Sequence, residues 1–188
     1  MLELYRKTEL ETWIEEQFKE VGILEPRDLK ISNIARQFGV EIEYMPYAPS
    51  NAIWDDDTVV VFIDSMKSDA EQKEIFYHEL CHPLLHEGNQ KNMSPFFRKL
   101  QEFQAEQFLM YAALPFFMIN RFEIPYEEKG MVALLTQVFE VTPELAKRRV
   151  KQIRRRIFQT QLDRQFIQYL KEEDKRLIGH AISYRFEN

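Results

Sequence analysis

Apolar residues recur at three- and four-residue intervals across residues 8–21, at Leu10, Trp13, Ile14, Phe18 and Val21, which predicts an amphipathic helix. Pro26 opens a second helix, carrying Leu29, Ile31, Ile34, Ala35 and Phe38 and stopping near Gly39. The period then shortens to two. Val40, Ile42 and Tyr44 alternate with polar neighbours and read as a strand, and Asn51–Trp54 and residues 58–63 flank an Asp55-Asp56-Asp57 turn as a hairpin. The second arm, from Thr58 to Ile63, is almost wholly apolar and so belongs in the centre of a sheet.

Ser68 followed by Glu71 has capping-box spacing and starts a helix over residues 69–82. Residues 100–114 form another, ending before Pro115. Residues 131–158 read as two helices broken near Thr142 and Pro143, and residues 162–182 as a last one. The pattern predicts an α+β fold, with a small twisted sheet of about three strands packed on the 69–82 helix. The chain divides into a domain over residues 1–125 and a helical C-terminal region over residues 126–188.

Composition narrows the function classes. Fifteen Phe among 188 residues, 45% of them hydrophobic, imply a folded core. A formal charge of −6 excludes a general attraction to nucleic acid or anionic membrane, so either role needs a local patch. The N-terminus lacks the basic-then-apolar order of a signal peptide, and no apolar run reaches the roughly 18 residues of a membrane span. Cys81 is the sole cysteine, which rules out an intrachain disulfide. A cytoplasmic protein is expected.

His78-Glu79-Leu80-Cys81-His82 carries the candidate chemistry. Four residues turn a helix through about 400°, so both imidazoles project from one face and can grip one zinc ion. Glu79 lies beside that face, where a carboxylate can take a proton from metal-bound water without being a ligand. A catalytic zinc needs a third protein ligand and an open position. A histidine six residues beyond His82, as in one zinc-peptidase subclass, is absent, since Gly88 stands there. Glu102 and Glu106 are the obvious candidates, four apart on one face of the following helix. One can bind metal while the other holds a histidine's second nitrogen. His86 competes, but Pro83 is expected to kink or end the helix before it. Cys81 competes as a thiolate, although a lone cysteine on an apolar helix is more often a core residue.

Two stretches make the chain resemble the ImmA/IrrE family of metallopeptidases. One is Tyr77-His78-Glu79-Leu80-Cys81-His82-Pro83-Leu84-Leu85-His86, similar to the family's HELGH, apolar run and His. The other is Glu102-Phe103-Gln104-Ala105-Glu106-Gln107-Phe108 with Leu114-Pro115 beyond it. The resemblance implies a zincin-like fold and a zinc-dependent endopeptidase with His78, His82 and Glu102 as ligands and Glu79 as catalytic base. Glu106 and His86 are then supporting residues or alternative ligands. It also implies a substrate such as a helix-turn-helix repressor of a phage or mobile element. Cys81 where Gly is usual, Pro83, and Glu106 where Asn is common are departures.

Two further features bear on function. An extended substrate can add to the sheet edge at Asn51, Ala52, Ile53 and Trp54. Lys147, Arg148, Arg149, Lys151, Arg154, Arg155 and Arg156 follow an apolar pattern similar to a helix-turn-helix, so a DNA- or partner-binding regulator without proteolysis is the alternative, with nucleic acid the less favoured partner. Oligomeric state is left open.

Overall fold

The fold was analysed in a computed structural model, which describes residues 2–55, 57–86 and 93–186, with side chains to residue 173. Two compact units emerge: Lys7–Val150, and Met1–Arg6 together with Lys151–Asn188.

The larger unit is α+β. Helix α1 (Glu9–Glu20) starts where Thr8 and Glu11 form a reciprocal capping box, and it buries Ile14 and Phe18. Pro26 opens a short 3-10 turn, Pro26–Leu29, rather than the helix itself; α2 (Ile31–Phe38) follows and ends at Gly39. That glycine takes the left-handed conformation (φ 66°) that side chains disfavour.

Three strands follow: β1 (Val40–Met45), β2 (Asn51–Trp54) and β3 (Val59–Asp64). Their order is β1-β3-β2, with β1 parallel and β2 antiparallel to β3. The almost wholly apolar strand is thus central, as its sequence requires. Register pairs Ile42 with Val61, and Ala52 with Val61 from the other side. The β2–β3 turn is held by the Asp55 carboxylate, which accepts from the backbone amides of Asp57 and Thr58. On β1 only Val40 is buried; Tyr44 stands half exposed, so the alternation marks an outer strand.

Helix α3 (Asp69–Leu85) packs across β2 and β3, closing Val61, Ile63, Phe76, Tyr77 and Leu80 from water. Full burial of such side chains stabilises the fold by about 2 kcal/mol each. Pro83 does not end this helix. It costs one bond to the Glu79 carbonyl, yet the bond from His86 N to His82 O beyond it is made at 2.9 Å, and the helix runs on to Leu85.

Helix α4 (Pro95–Ala113) packs on α3 and starts earlier than residue 100, because the Ser94 hydroxyl caps it and Pro95 suits a first turn. A short α5 (Phe116–Ile119) precedes α6 (Glu128–Phe139). The chain then reverses at Glu140, itself in a left-handed conformation (φ 52°), and enters α7 (Pro143–Phe186). The expected break before residue 162 is absent. No Gly or Pro lies there, and the Thr160 hydroxyl donates to Arg156 O within the helix.

In the smaller unit, Tyr5 is buried and exchanges hydrogen bonds with Gln152, and Arg156 donates to Arg6 O.

Candidate metal centre

The second half of α3 and the first half of α4 bring three candidate ligand residues to one point. His78 Nε2 lies 3.2 Å from Glu102 Oε2, and His82 Nε2 lies 4.0 Å from Glu102 Oε1. Among the described residues, His78, His82 and Glu102 form a group whose ligand atoms all lie within 4.8 Å of one another. Two donors about 2.0–2.1 Å from a tetrahedral zinc stand about 3.3 Å apart, so this donor set fits such an ion.

What surrounds the imidazoles favours the same use. His82 Nδ1 meets His86 Nδ1 at 2.9 Å, and His86 Nε2 meets Gln104 Oε1 at 3.3 Å. With the Gln104 carbonyl accepting a hydrogen bond from His86 Nε2, His86 Nδ1 accepts one from His82 Nδ1, which puts the His82 lone pair on Nε2, on the side of Glu102. His86 therefore stands behind His82, outside the three-residue group. Its position one turn along depends on the helix surviving Pro83.

Glu106 Oε1 stands 3.4 Å from His78 Nδ1, and its other oxygen accepts from Arg148 at 2.6 Å. The two glutamates thus occupy the two sides of His78. Glu102 faces Nε2 and Glu106 faces Nδ1.

Burial holds His82 in its neutral form, pushing its pKa down to about 4 against the opposing pull of Glu102, and it lowers His86 as well. Neutral imidazole is the form that binds metal. Glu79 is 6% exposed; burial raises its pKa, the His78 charge works against this, Glu102 adds to the rise, and a hydrogen bond with the Ala52 backbone opposes it. Cys81 lies outside the group, and burial pushes its thiol up to about 12, far from a thiolate at neutral pH.

A cleft of about 460 Å³ opens over these groups, bordered by Asn51, Glu74, Glu79 and Leu109 among others. Among the described strands, β2 pairs with β3 alone. Asn51 of β2 borders the cleft beside His78, Glu79 and His82. Trp54 lies nearly parallel to the His82 ring, at 9° and a centroid distance of 6.5 Å. Of the edge residues, Ile53 is turned outward and 58% exposed.

Residues 26–151 match the sequence profile of the IrrE N-terminal-like domain, peptidase family M78. The chain belongs to the ImmA/IrrE family. It is 34% identical over 147 residues to the phage-like element PBSX protein XkdA of Bacillus subtilis, a match covering 78% of this chain and 74% of that protein. Over 155 residues it is 29% identical to the uncharacterized protein YqaB of the same organism, covering 82% and 90%. A solved transcriptional regulator of Mycobacterium tuberculosis shares the fold at a TM-score of 0.50 and 16% identity, over 74% of this chain but only 46% of that longer one. Family membership makes a metallopeptidase or a derived regulator the coarse reading. Among the described residues no helix is long and apolar enough to cross a membrane.

Gln104 and Arg148 escaped sequence reading. Each acts on the site through another side chain, and neither spacing nor residue type marks it. Arg149, within the basic stretch, faces inward instead: it is fully buried, paired with Glu11 at 2.8 Å and bonded to Leu114 O. With Arg148 held on Glu106 and Arg156 donating to Arg6 O, at least three of the seven basic residues serve internal contacts.

Proposed function

We propose that this chain is a zinc-dependent endopeptidase that cleaves a cytoplasmic protein, a helix-turn-helix repressor of a phage or mobile element being the favoured substrate. The reading is carried by one observation: two imidazole Nε2 atoms and a Glu102 carboxylate converge beside a buried, non-converging Glu79 in an open cleft. The phage-like element named for the XkdA relative supports the setting.

His78, His82 and Glu102 would hold the ion, which when bound supplies Lewis acidity to a carbonyl and acidifies its water. Glu79 then acts as the proton carrier, accepting the water proton and returning it to the leaving amine. Its burial suits the task, because a carboxylate with a raised pKa is a stronger base than an exposed one. His86 with Gln104, and Glu106 with Arg148, fix the ring orientations. The outer edge of β2 offers backbone groups to an extended substrate segment beside the cleft, so Asn51 and its neighbours would position the peptide.

Co-expression with the repressor-like gene nearest to its own, followed by intact-mass measurement of that partner, tests this. Wild type should yield two fragments. Glu79→Gln should bind as much zinc and cut at least about 100-fold more slowly. A partner left whole by the wild-type protein would favour a binding regulator, and cutting by Glu79→Gln would remove the assigned base.

A further inference from the structure

The far part of α7 exposes an apolar face with no function in the metal site. Every residue from 161 to 172 is exposed, including Leu162, Phe166, Tyr169 and Leu170, and Phe158 just before them is 59% exposed. At about 100° per residue these five side chains fall within an arc of about 120°. A stripe of that width is the mark of a helix face that packs against something. Arg155 precedes the stripe and Glu173 follows it, and helical spacing sets both within the same arc.

We infer that this stripe is the seam of an antiparallel homodimer, formed with α7 of a second copy of the chain. The charge order selects the partner and the direction. A two-fold axis near residue 164 sets Phe158 against Leu170 of the second copy and Leu162 against its Phe166. It also sets Arg155 against Glu173, and symmetry makes this pairing twice. Parallel pairing would place Arg155 against Arg155 and Glu173 against Glu173, which like-charge repulsion disfavours. Antiparallel helices also oppose their dipoles favourably.

Large side chains of this kind, about half exposed, offer about 500 Å² per copy, or about 1,000 Å² for the pair before polar neighbours are counted. That lies at the low end of specific interfaces, which implies a reversible dimer with a Kd of about 1–100 µM.

The full-length chain can be followed by sedimentation equilibrium from about 2 to about 200 µM. Wild type should pass from monomer to dimer across this range. Leu162→Asp with Phe166→Asp, both surface changes, should leave the circular dichroism spectrum and metal content unchanged and raise Kd at least about 10-fold. Arg155→Glu alone should raise it about fivefold, with the loss recovered when Glu173→Arg is added.

Direction is read with a short bismaleimide cross-linker on Phe158→Cys and Leu170→Cys. The two variants mixed should cross-link strongly, and either alone weakly; buried Cys81 stays out of reaction. A wild-type chain monomeric at about 200 µM overturns the inference and leaves the stripe to a different partner. A dimer indifferent to Leu162→Asp with Phe166→Asp, or equal cross-linking by each cysteine variant alone, overturns it too. None of these readouts depends on peptidase activity.

Discussion

Arg149→Met is the substitution whose cost the structure allows to be worked through. The guanidinium is fully buried, 2.8 Å from Glu11 Oε1, with its Nε on the Leu114 carbonyl and its plane over the Tyr111 ring at 4.9 Å. Methionine fills much of the same volume but leaves the 3% exposed Glu11 side chain without its countercharge. Breaking a buried pair in this way costs about 3–5 kcal/mol, a large share of the roughly 5–15 kcal/mol that holds a domain together. Glu11→Gln is the right partner for a cycle, because glutamine can still fill the capping position opposite Thr8. The double variant should lose only about 2 kcal/mol, mostly the Leu114 bond and the ring contact, giving a coupling of at least about 2 kcal/mol. Urea unfolding followed by tryptophan fluorescence and circular dichroism measures all four proteins; with m near 2 kcal/mol/M, the single change should move the midpoint by about 2 M. Additive losses, or a single-variant loss below about 1 kcal/mol, would refute the buried-pair reasoning.

Metal removal by a chelator should lower the melting temperature by about 5–10 °C if the ion is present at about 100 times its Kd, and His78→Ala should melt like the stripped protein whether or not zinc is added. Glu106→Gln should keep one zinc per chain but weaken its binding about 10–100-fold in a competition titration, whereas Glu102→Gln should abolish stoichiometric binding; the reverse ranking would exchange their roles. Lys73 is buried with its ammonium on Phe139 O at 2.6 Å, and burial lowers its pKa from 10.5 to about 8 against the opposing charge of Glu140. Because the folded pKa lies below the unfolded one, the unfolded chain holds the extra proton between them and stability rises with pH. Relative to Lys73→Met, wild type should gain about 2 kcal/mol between pH 8 and 9.5, and parallel stability curves would show that the amine is not desolvated.

Much of this protein was readable along the chain because its signals are local. A two-residue period, an unbroken apolar run and the Asp55 turn are enough to name the strands, and Ser68 with Glu71 is enough to start the helix that carries His78 and His82. Their four-residue spacing makes them neighbours in any helix. Local rules misjudged element ends. Pro83 looked like a stop, but near a helix terminus it removes a single bond, and residues 158–162 looked like a gap because the apolar face shifts there from the buried side of Ile153 and Ile157 to the exposed side of Phe158 and Leu162.

Sequence alone therefore determined the α+β plan, the histidine pair and the adjacency of Glu79, all set within a few residues by backbone geometry. Family likeness pointed to Glu102, since spacing on α4 left it equal to Glu106. Only the packing of α4 on α3 gives the two different surroundings, Glu102 facing the Nε2 atoms of His78 and His82 and Glu106 facing His78 Nδ1. The same is true of Gln104, Arg148 and the inward turn of Arg149. Their roles depend on which groups meet across helices far apart in the chain, and a one-dimensional pattern carries no record of that distance.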